Sequence, residues 1–456
     1  MEIVGLGRSA LTRQGERGTR VAGRAGDPTG IPPLEVASTV PEFTVSVPAL
    51  GGRWLVGVIF LVHITTVALL IGIAMVAPVA EVIGWRRGYE RWGDLARQLS
   101  TVLERLYAWG ATWAAFGLVA IWGLYPRLWG YLTSLFFYPV VIIAGVLWLL
   151  MTITAYAYYG TWNSLRGRRG LHNAIGWTFA LSAMAFITLI VMFSSHQLTP
   201  AGGVDQLWAA AFNPSWLAET LHRHVGNLSY GPLVLGALVG AGLLVFRGRF
   251  RPSEGQRDYR YWVLEATLLL GGLVTLTQPL FGWYYVRRIL EASPGAWFNM
   301  MAGAKGWLFL IQIGLLGAIF FLISLYLVVS LPTPTDGARR VRTRTWLRWS
   351  LLVLALALLL AVIPKELPLG QMRPWKYIAL YVFGLVTIAN LVLYWRERRQ
   401  GGPVPGGWQR PAVLVALGLA AVAIFVTMGI IRESARGDWL IYQKMPPEQA
   451  QELVRP

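Results

Sequence analysis

The sequence predicts an all-α integral membrane protein with about ten transmembrane helices, and three observations predict it. Apolar runs of about 20 residues recur along the chain, a length at which an α-helix crosses roughly 30 Å of hydrocarbon. Of the 456 residues, 55% are hydrophobic and only 14% are charged. The arginines stand mostly in short loops beside the apolar runs, as the positive-inside rule requires of membrane proteins.

Each apolar run is assigned to one helix, and the runs follow one another with polar breaks between them. The odd-numbered runs end at clusters of arginine, whereas the loops after the even-numbered runs carry fewer basic residues. Boundaries read in this way are accurate to a few residues. The predicted spans lie near residues 53–84, 107–125, 131–160, 171–195, 216–246, 262–285, 298–331, 347–364, 375–395 and 410–431.

The arginine clusters orient the helices. Because positively charged loops stay in the cytoplasm, the loops after odd-numbered spans should be cytoplasmic and both termini should lie outside. Residues 196–215 contain no Lys or Arg, and neither do residues 25–52 before the first span. The clusters are Arg86, Arg87, Arg91 and Arg97; Arg166, Arg168 and Arg169; Arg247, Arg249 and Arg251; Arg339, Arg340, Arg342 and Arg344; and Arg396, Arg398 and Arg399.

Composition excludes several classes of protein. The chain has no cysteine, so a cofactor must be held by His, Met, carboxylate or backbone groups, and disulfides and thiolate-bound iron–sulfur clusters are excluded. The net charge of +18 comes largely from the loop arginines, which argues for the lipid bilayer as a partner and against nucleic acid. Residues 1–52 contain no long apolar run and are predicted to be a soluble N-terminal tail.

All five histidines fall within or at the ends of the predicted spans, and three of them lie toward the outer face. His63 stands about ten residues into the first span, roughly 15 Å along the helix, while His196 ends the fourth span and His222 begins the fifth. Imidazoles on facing helices of a bundle can ligate a haem iron from both sides. The alternative is that each histidine only hydrogen-bonds a neighbouring helix or interfacial water. His172, which follows the arginine-rich "LRGRRGL", is expected to be solvated on the inner side.

Several of these residues resemble the large subunit, subunit I, of the cytochrome bd quinol oxidases. The first span is similar to that family's opening helix, with His63, Gly72 and Glu81 in the same register. The family's histidine at this position ligates an active-site haem. The segment "NPSWLAETLH" resembles the Asn-Pro segment that ends in the family's low-spin haem b ligand, which implies that His222 holds that haem. His224 would then lie behind the site or at the membrane interface.

Two later segments extend the resemblance. "FNMMAGAKG" is similar to the family's segment with the methionine ligand opposite that histidine, and the register selects the second methionine, Met301. "RESARGDWLIYQKM" resembles the segment that carries a haem-ligating glutamate. The resemblance implies Glu433 as a haem ligand at the active-site pair, Arg436 near haem propionates, and Trp439 in the same motif. Glu366 in "KELPLGQMRPW" is the alternative to Glu433, although its spacing requires an insertion.

Two departures from the family bear on function. The family's third helix carries glutamates for proton delivery, whereas residues 131–160 contain no acidic side chain. The family's long outer quinol loop, between the sixth and seventh helices, shrinks here to roughly residues 286–297. The resemblance therefore does not extend to the proton path or to the quinol loop.

The resemblance implies a haem-containing subunit of a respiratory chain in the bacterial plasma (inner) membrane, with His63 and Glu433 as catalytic residues. It implies two or more haems b, with haem d as an alternative type, a second membrane subunit, and a quinol or periplasmic cytochrome c as electron donor. Electrons would pass from the low-spin haem b to a haem pair that reduces O2 to water. The alternative function is a non-oxidase b-haem conduit between the quinone pool and a periplasmic redox partner in a larger respiratory complex.

These expectations divide the chain into four regions. Residues 1–52 form the tail, and residues 53–246 carry the five helices most similar to the bd family. Residues 247–331 carry the sixth and seventh helices with the shortened outer loop between them. Residues 332–456 carry the last helices and an outer C-terminal segment with the Glu433, Arg436 and Trp439 motif.

Overall fold

The computed structural model describes residues 52–203, 206–245, 254–331, 337–363, 374–399 and 407–451. Nearly all of the predicted N-terminal tail, the alternative ligand Glu366 and part of the arginine clusters lie outside these ranges. Within them, every regular element is helical apart from one isolated bridge between Ile441 and Met445. The all-α prediction is confirmed.

Ten helical segments of the described chain are long and apolar enough to cross a membrane, which confirms the predicted number. Some of these segments combine shorter helices, so the helices are numbered separately. In chain order they are α1 (Gly52–Arg87), α2 (Glu90–Leu124), α3 (Pro126–Leu135), α4 (Ile143–Gly160), α5 (Arg169–Leu198), α6 (Leu207–Ala211), α7 (Trp216–Val245), α8 (Glu254–Thr275), α9 (Gln278–Ala292), α10 (Pro294–Met301), α11 (Trp307–Val329), α12 (Gly337–Ala361), α13 (Pro374–Arg399), α14 (Gln409–Ala435) and α15 (Pro447–Gln451).

Three of the predicted spans are interrupted. A π-helical turn, Phe137–Ile142, joins α3 to α4 within the third span. The sixth span bends just before Pro279, because proline lacks the backbone N–H that would continue the helical ladder. The seventh span breaks after Met301, where a glycine-rich turn separates α10 from α11. Met301 therefore lies at the end of a short helix, outside the apolar α11.

The helix α2 begins at Glu90, well before the predicted start near residue 107. Its first half is amphipathic, with Leu95, Leu99 and Leu103 buried at intervals of one helical turn. This part packs against the bundle although it is too charged to count as an apolar run. The sequence-based boundary was wrong because it followed hydropathy alone.

The bundle has two chemically different ends. At one, called the basic end, lie Arg86 in the last turn of α1, Arg166 between α4 and α5, and Arg396 in the last turn of α13. At the other, called the tail end, α14 finishes and the following segment folds back over α5, where the Tyr442 backbone N–H donates to the Gln197 carbonyl at 2.9 Å. These arginines share one end, as the sequence predicted. Which end faces the cytoplasm stays a prediction.

The helices α1 and α7 both run from the tail end to the basic end, and they touch backbone to backbone. A Cβ placed on Gly72 would lie 2.2 Å from the Asn227 carbonyl oxygen and 2.7 Å from the Gly231 Cα. Membrane helices approach this closely only through small residues. His63 precedes Gly72 by nine residues, and His222 precedes Gly231 by nine residues. Both histidines therefore lie at one depth, about 13 Å from the crossing toward the tail end.

Near the basic end, a buried polar cluster joins α1 to α4 and α5. Glu81 and His172 are each 1% exposed. His172 Nδ1 lies 2.6 Å from Glu81 Oε1, and its Nε2 donates to the Tyr158 carbonyl at 2.9 Å. The Tyr158 hydroxyl and the Asn173 amide donate to the second carboxylate oxygen at 3.1 and 3.3 Å. The expectation that His172 is solvated was wrong, because its partner Glu81 is distant in sequence.

We expect Glu81→Ala to destabilise the protein by about 3–5 kcal/mol, because a buried imidazole, phenol and amide would lose their common acceptor. Glu81→Gln should recover part of this loss, since its amide oxygen still accepts. The measurement is thermal unfolding of the detergent-solubilised protein, with the exposed Glu90→Ala as the control. Equal unfolding temperatures for the two alanine variants would contradict the expectation.

Candidate cofactor site

The start of α7 is fixed to the end of α5 by four buried polar side chains. The Asn213 amide donates to Ser195 Oγ at 2.8 Å. The Thr199 hydroxyl donates to Asn213 Oδ1 at 3.1 Å and lies 2.7 Å from Ser215 Oγ. All four side chains are at most 3% exposed. The Asn-Pro segment thus locks the first turn of α7, the helix that carries His222.

His222 projects from α7 between α9 and α14. Its ring stacks against Tyr285 with the centroids 5.8 Å apart, and its Nε2 lies 3.2 Å from Met428 Sδ. Its Nδ1 is buried and has no hydrogen-bond partner among the described residues. Gln278 donates to the backbone carbonyl of His222 at 3.2 Å, which fixes the main chain and leaves the ring uncommitted. This imidazole is available as a ligand.

His224 takes a different direction from His222, as residues two positions apart on a helix must. Its Nε2 lies 2.8 Å from the Thr188 hydroxyl of α5. The nearby Trp216 indole donates to the Thr188 carbonyl at 3.2 Å, so two side chains of α7 bond to the same residue of α5. His224 therefore joins α7 to α5, and His222 alone of this pair lines the cavity described below.

His63 is held in one orientation by α2. Its Nδ1 donates to the Gly110 carbonyl at 3.0 Å, and the edge of Phe60 packs against the ring at 6.2 Å between centroids. Because a carbonyl only accepts, Nδ1 carries the proton and Nε2 keeps its lone pair. Metal-binding histidines are commonly oriented in this way, with the other ring nitrogen donating to a carbonyl.

A cavity of about 2190 Å³ extends from the tail end toward the middle of the bundle. Pockets for one drug-sized ligand are roughly 300–1000 Å³, so this cavity has room for more than one such ligand. His63 and His222 both line it, as do Met300, Met301 and Met428. The structure thus brings together at one cavity the residues that the sequence singled out on α1, α7 and α10.

Charged side chains in the cavity wall are mainly cationic. Among the lining residues, five basic groups face two carboxylates, a surplus of three positive charges. A wall of this kind, partly shielded from water, favours anionic groups on whatever it encloses. The charged lining residues are Arg53, Glu219, Arg223, Lys305, Arg432, Glu433 and Arg436.

Glu219 is the centre of a buried ionic cluster one turn before His222. It is 1% exposed, and Oε1 accepts from Arg223 Nε at 2.9 Å and from the Ser194 hydroxyl at 2.7 Å. Arg432 Nε lies 3.4 Å from Oε1, and the Tyr285 hydroxyl donates to Oε2 at 3.0 Å. Two guanidinium groups therefore share one carboxylate. This cluster was not predicted from the sequence, although a glutamate three residues before His222 in an apolar span was a visible signal.

Glu433 stands where α1 and α14 meet at the tail end. Its Oε1 accepts from Arg53 Nε at 2.8 Å, and its Oε2 accepts from Arg436. Arg53 also donates to the Gly437 carbonyl at 2.8 Å. Arg436 is 5% exposed, and its Nε has no partner among the described residues. As a metal ligand, Glu433 would have to exchange one guanidinium partner for the metal.

The helix α14 contacts both α7 and α1 near His222 and His63. Met428 faces His222, whereas the next residue, Gly429, abuts α1 so closely that a Cβ there would lie 2.6 Å from Leu61 Cδ2. Leu61 is two residues from His63 on the same helix. His63 is held by α2, whereas His222 contacts α9 and α14, so the two imidazoles belong to two subsites of one cavity.

The remaining motif residues cover the tail end. Met300 is buried and Met301 is partly buried, and both line the cavity. Trp439 does not line the cavity itself, but packs against an apolar cluster with Tyr442 and Ile431, of which Ile431 lines the cavity. Of the predicted site residues, the structure therefore brings His63, His222, Met301, Glu433 and Arg436 to the cavity, and Trp439 next to it.

His196 is fully buried but stands apart from the cavity wall. Its Nε2 accepts from the Tyr131 hydroxyl at 3.2 Å, and the edge of Phe136 packs against it at 5.4 Å. For His196, the alternative of a hydrogen bond to a neighbouring helix is the one that the structure supports.

The donor set at the cavity suits iron in a macrocycle better than a bare ion. The described residues contain no group of three or more His, Asp or Glu side chains that could hold a metal ion. The cavity instead presents single imidazoles and thioethers from different helices, which are the axial ligands of haem iron in many proteins. The uncommitted ring of His222 and the oriented ring of His63 fit such a group.

Ten apolar spans that enclose a cavity with a cationic wall define a polytopic helical membrane protein with an internal ligand-sized site. Its fold is similar to that of a solved bd oxidase, the one from Geobacillus thermodenitrificans. The TM-score is 0.56 at 14% sequence identity, over 88% of this chain and 90% of that chain. No protein-family model and no curated protein matches the sequence. The bd-oxidase-like fold expected from the sequence is therefore confirmed.

Proposed function

We propose that this chain is the haem-carrying subunit of a respiratory membrane oxidoreductase similar to the bd oxidases. His222 holds a low-spin haem b, and His63 and Glu433 hold a haem pair at which O2 is reduced to water. A methionine would hold the same haem together with His222: Met301 is the candidate from the resemblance, and Met428 offers a second thioether on the same cavity wall. Haem b is the expected type, with haem d as the alternative for the pair.

The observation that carries this proposal is the pair of imidazoles at one cavity. His63 keeps its Nε2 lone pair unengaged because Nδ1 donates to Gly110, and the His222 ring has no oxygen or nitrogen partner. Burying polar rings without partners is costly, so their retention at this depth needs a reason. Bound haem would supply one-electron redox chemistry, and iron ligation would satisfy both rings.

The charged wall supports the same assignment. Haem propionates are anionic, and the surplus of three positive charges offers them partners. Arg436 Nε, buried and unpartnered, is the group best placed to bind a carboxylate in addition to Glu433. Arg53 and Arg436 both donate to the Glu433 carboxylate, the group that would ligate the iron.

The second candidate function is electron transfer without oxygen chemistry, between the quinone pool and a periplasmic redox partner. Residues 131–160, which include the whole of α4, contain no acidic side chain that could relay protons to a buried site. The stretch between the sixth and seventh spans holds only the end of α9 and the short α10. These observations favour a conduit if the oxidase assignment fails.

The proposed partners follow from the same resemblance. They are a second membrane subunit, a quinol or a periplasmic cytochrome c as donor, and the bilayer of the bacterial plasma membrane. Both termini are proposed to lie outside, since the arginine-rich loops collect at the opposite end of the bundle.

The test is a reduced-minus-oxidised absorption spectrum of the purified protein, with and without carbon monoxide, together with pyridine haemochrome quantitation. A low-spin b signal plus a CO-sensitive high-spin component supports the oxidase. Oxygen uptake with quinol or cytochrome c as donor then separates oxidase from conduit, because a conduit consumes no oxygen. Absence of haem from the intact complex would refute both candidates.

A further inference from the structure

The cavity has a side cleft, lined by α9, α11 and α13, that faces the membrane. One face of α11 contributes Phe309, Ile313 and Leu316 to its wall, at helical spacing. Leu276, at the bend between α8 and α9, packs against the apolar cluster of α11, α12 and α13, so the start of α9 lies next to α11. Four further lining residues on α9 and α13 are more than half exposed, and they are Leu280, Trp283, Tyr381 and Leu385. A molecule dissolved in the bilayer can therefore reach this cleft from the side.

Two buried amide oxygens in the cavity wall beside α9 and α11 have no partner. Gln278 donates to the His222 carbonyl at 3.2 Å, and because a carbonyl only accepts, the amide nitrogen occupies that contact. Its Oε1 is left over, buried and without a hydrogen-bond partner among the described residues. The same holds for Oε1 of Gln312, which lies on the α11 face between Phe309 and Ile313. Buried acceptors without partners are costly, so two of them in one wall indicate a ligand that donates hydrogen bonds.

The chemistry of the cleft restricts this ligand. None of the cleft residues named above is charged, so the ligand is neutral and has an apolar body that dissolves in the bilayer. Trp283, Phe309 and Tyr381 offer aromatic surfaces to a ring. The two amide oxygens require hydroxyl donors, which the acyl chain of a phospholipid lacks. An isoprenoid quinol has all of these features, because it joins an aromatic diol to a long apolar chain.

We propose that the side cleft binds the ring of an isoprenoid quinol, with Gln278 and Gln312 accepting from its hydroxyls and its chain passing between α9 and α13 into the bilayer. The inference rests on the proposed function, because the haem assigned to His222 is the electron acceptor. Oxidation of one quinol to the quinone releases two electrons, which pass to that haem one at a time, and two protons, which pass to water at the tail end. Gln278 joins the two sites, since it also bonds the main chain of His222. The site lies in the membrane part of the bundle, away from the outer stretch between the sixth and seventh spans.

The experiment measures binding of decylubiquinol and decylubiquinone to the intact complex in phosphatidylcholine nanodiscs, by anaerobic equilibrium dialysis with empty nanodiscs as the blank. The wild type should bind one quinol per chain, about tenfold more tightly than the quinone, because the quinone has no hydroxyl to donate. Gln312→Leu should bind the quinol about tenfold more weakly and lose this preference. Gln98→Leu, at an exposed position of α2 outside the cavity wall, is the control and should bind like the wild type.

A second variant tests the cleft without touching the amides. Gly384 of α13 lines the cavity, and no atom lies within 4 Å of a Cβ placed there. Gly384→Phe should therefore fill the cleft without disturbing the helix, and quinol binding should be lost. Gly145→Phe is the matched control, because Gly145 of α4 has the same open surroundings and does not line the cavity.

The rate of haem reduction gives a second readout. Reduction by decylubiquinol should slow in Gln312→Leu and Gly384→Phe, whereas reduction by dithionite should be unchanged in both. Equal affinities for quinol and quinone in the wild type, or unchanged quinol binding in both cleft variants, overturn the inference while the proposed function stands. A phospholipid lost from Gly384→Phe together with unchanged quinol binding assigns the cleft to an acyl chain and also overturns it. Wild-type protein that binds the quinol but contains no haem refutes the proposed function and leaves the binding site standing.

Discussion

Replacing His222 by alanine is expected to abolish the low-spin haem signal and to leave the His63-dependent haem largely in place. His222 contacts α9 and α14 whereas His63 is held by α2, so loss of one ring leaves the other subsite with its own helices. Removing a haem ligand outright leaves the iron without its imidazole, and the low-spin state cannot be restored by packing. The measurement is the reduced-minus-oxidised spectrum with haem quantitation.

The matched control for this prediction is His224→Ala. It removes an imidazole two residues away that bonds Thr188 of α5 and does not line the cavity. This variant should lose some stability, about 1–3 kcal/mol for the buried hydrogen bond, and keep its low-spin spectrum. An unchanged spectrum in His222→Ala, or an equal loss in both variants, would refute the assignment of His222.

The second large effect is expected at the crossing of α1 and α7. In Gly72→Ala, the added Cβ would lie 2.2 Å from one backbone atom of α7 and 2.7 Å from another, and backbone atoms cannot move aside as a side chain can. The helices must separate, at a cost of about 3 kcal/mol or more. This crossing fixes the relative position of the two helices that carry His63 and His222. Haem occupancy at both subsites should therefore fall, and the unfolding temperature should fall with it.

Gly145→Ala on α4, away from the cavity wall, is the control. No atom lies within 4 Å of a Cβ placed there, and alanine favours the helix over glycine by about 0.5–1 kcal/mol. Its unfolding temperature should therefore equal or exceed that of the wild type, with full haem content. If Gly72→Ala behaved in the same way, the backbone contact between α1 and α7 would be disproved.

The number of spans and the gathering of the arginines at one end could be predicted from the sequence, because hydropathy and charge are local properties. The depth of His63 and His222 was also predictable, since each is counted from the start of its own apolar run. The break after Met301 was harder to foresee. It depends on whether the glycine-rich segment forms a turn or continues the helix, and tertiary packing decides between the two.

The partners of the buried polar groups could not be predicted. Glu81 and His172 are 91 residues apart, and His222 and Met428 are 206 residues apart. Such pairs depend on which faces of two helices meet, and a single sequence contains no information on helix neighbours. The same reason explains why Arg432 was passed over in favour of the adjacent Glu433.

The position of α14 has a consequence for how the two halves of the cavity behave. One helix contributes side chains near both subsites, Met428 beside His222 and Glu433 beside Arg53 of α1, about 7.5 Å apart along its axis. A displacement of this helix perturbs both subsites at once. Their properties should therefore shift in concert when α14 is strained anywhere along its length, even by a change as remote as its anchor at Arg410, which donates to the Tyr326 hydroxyl of α11.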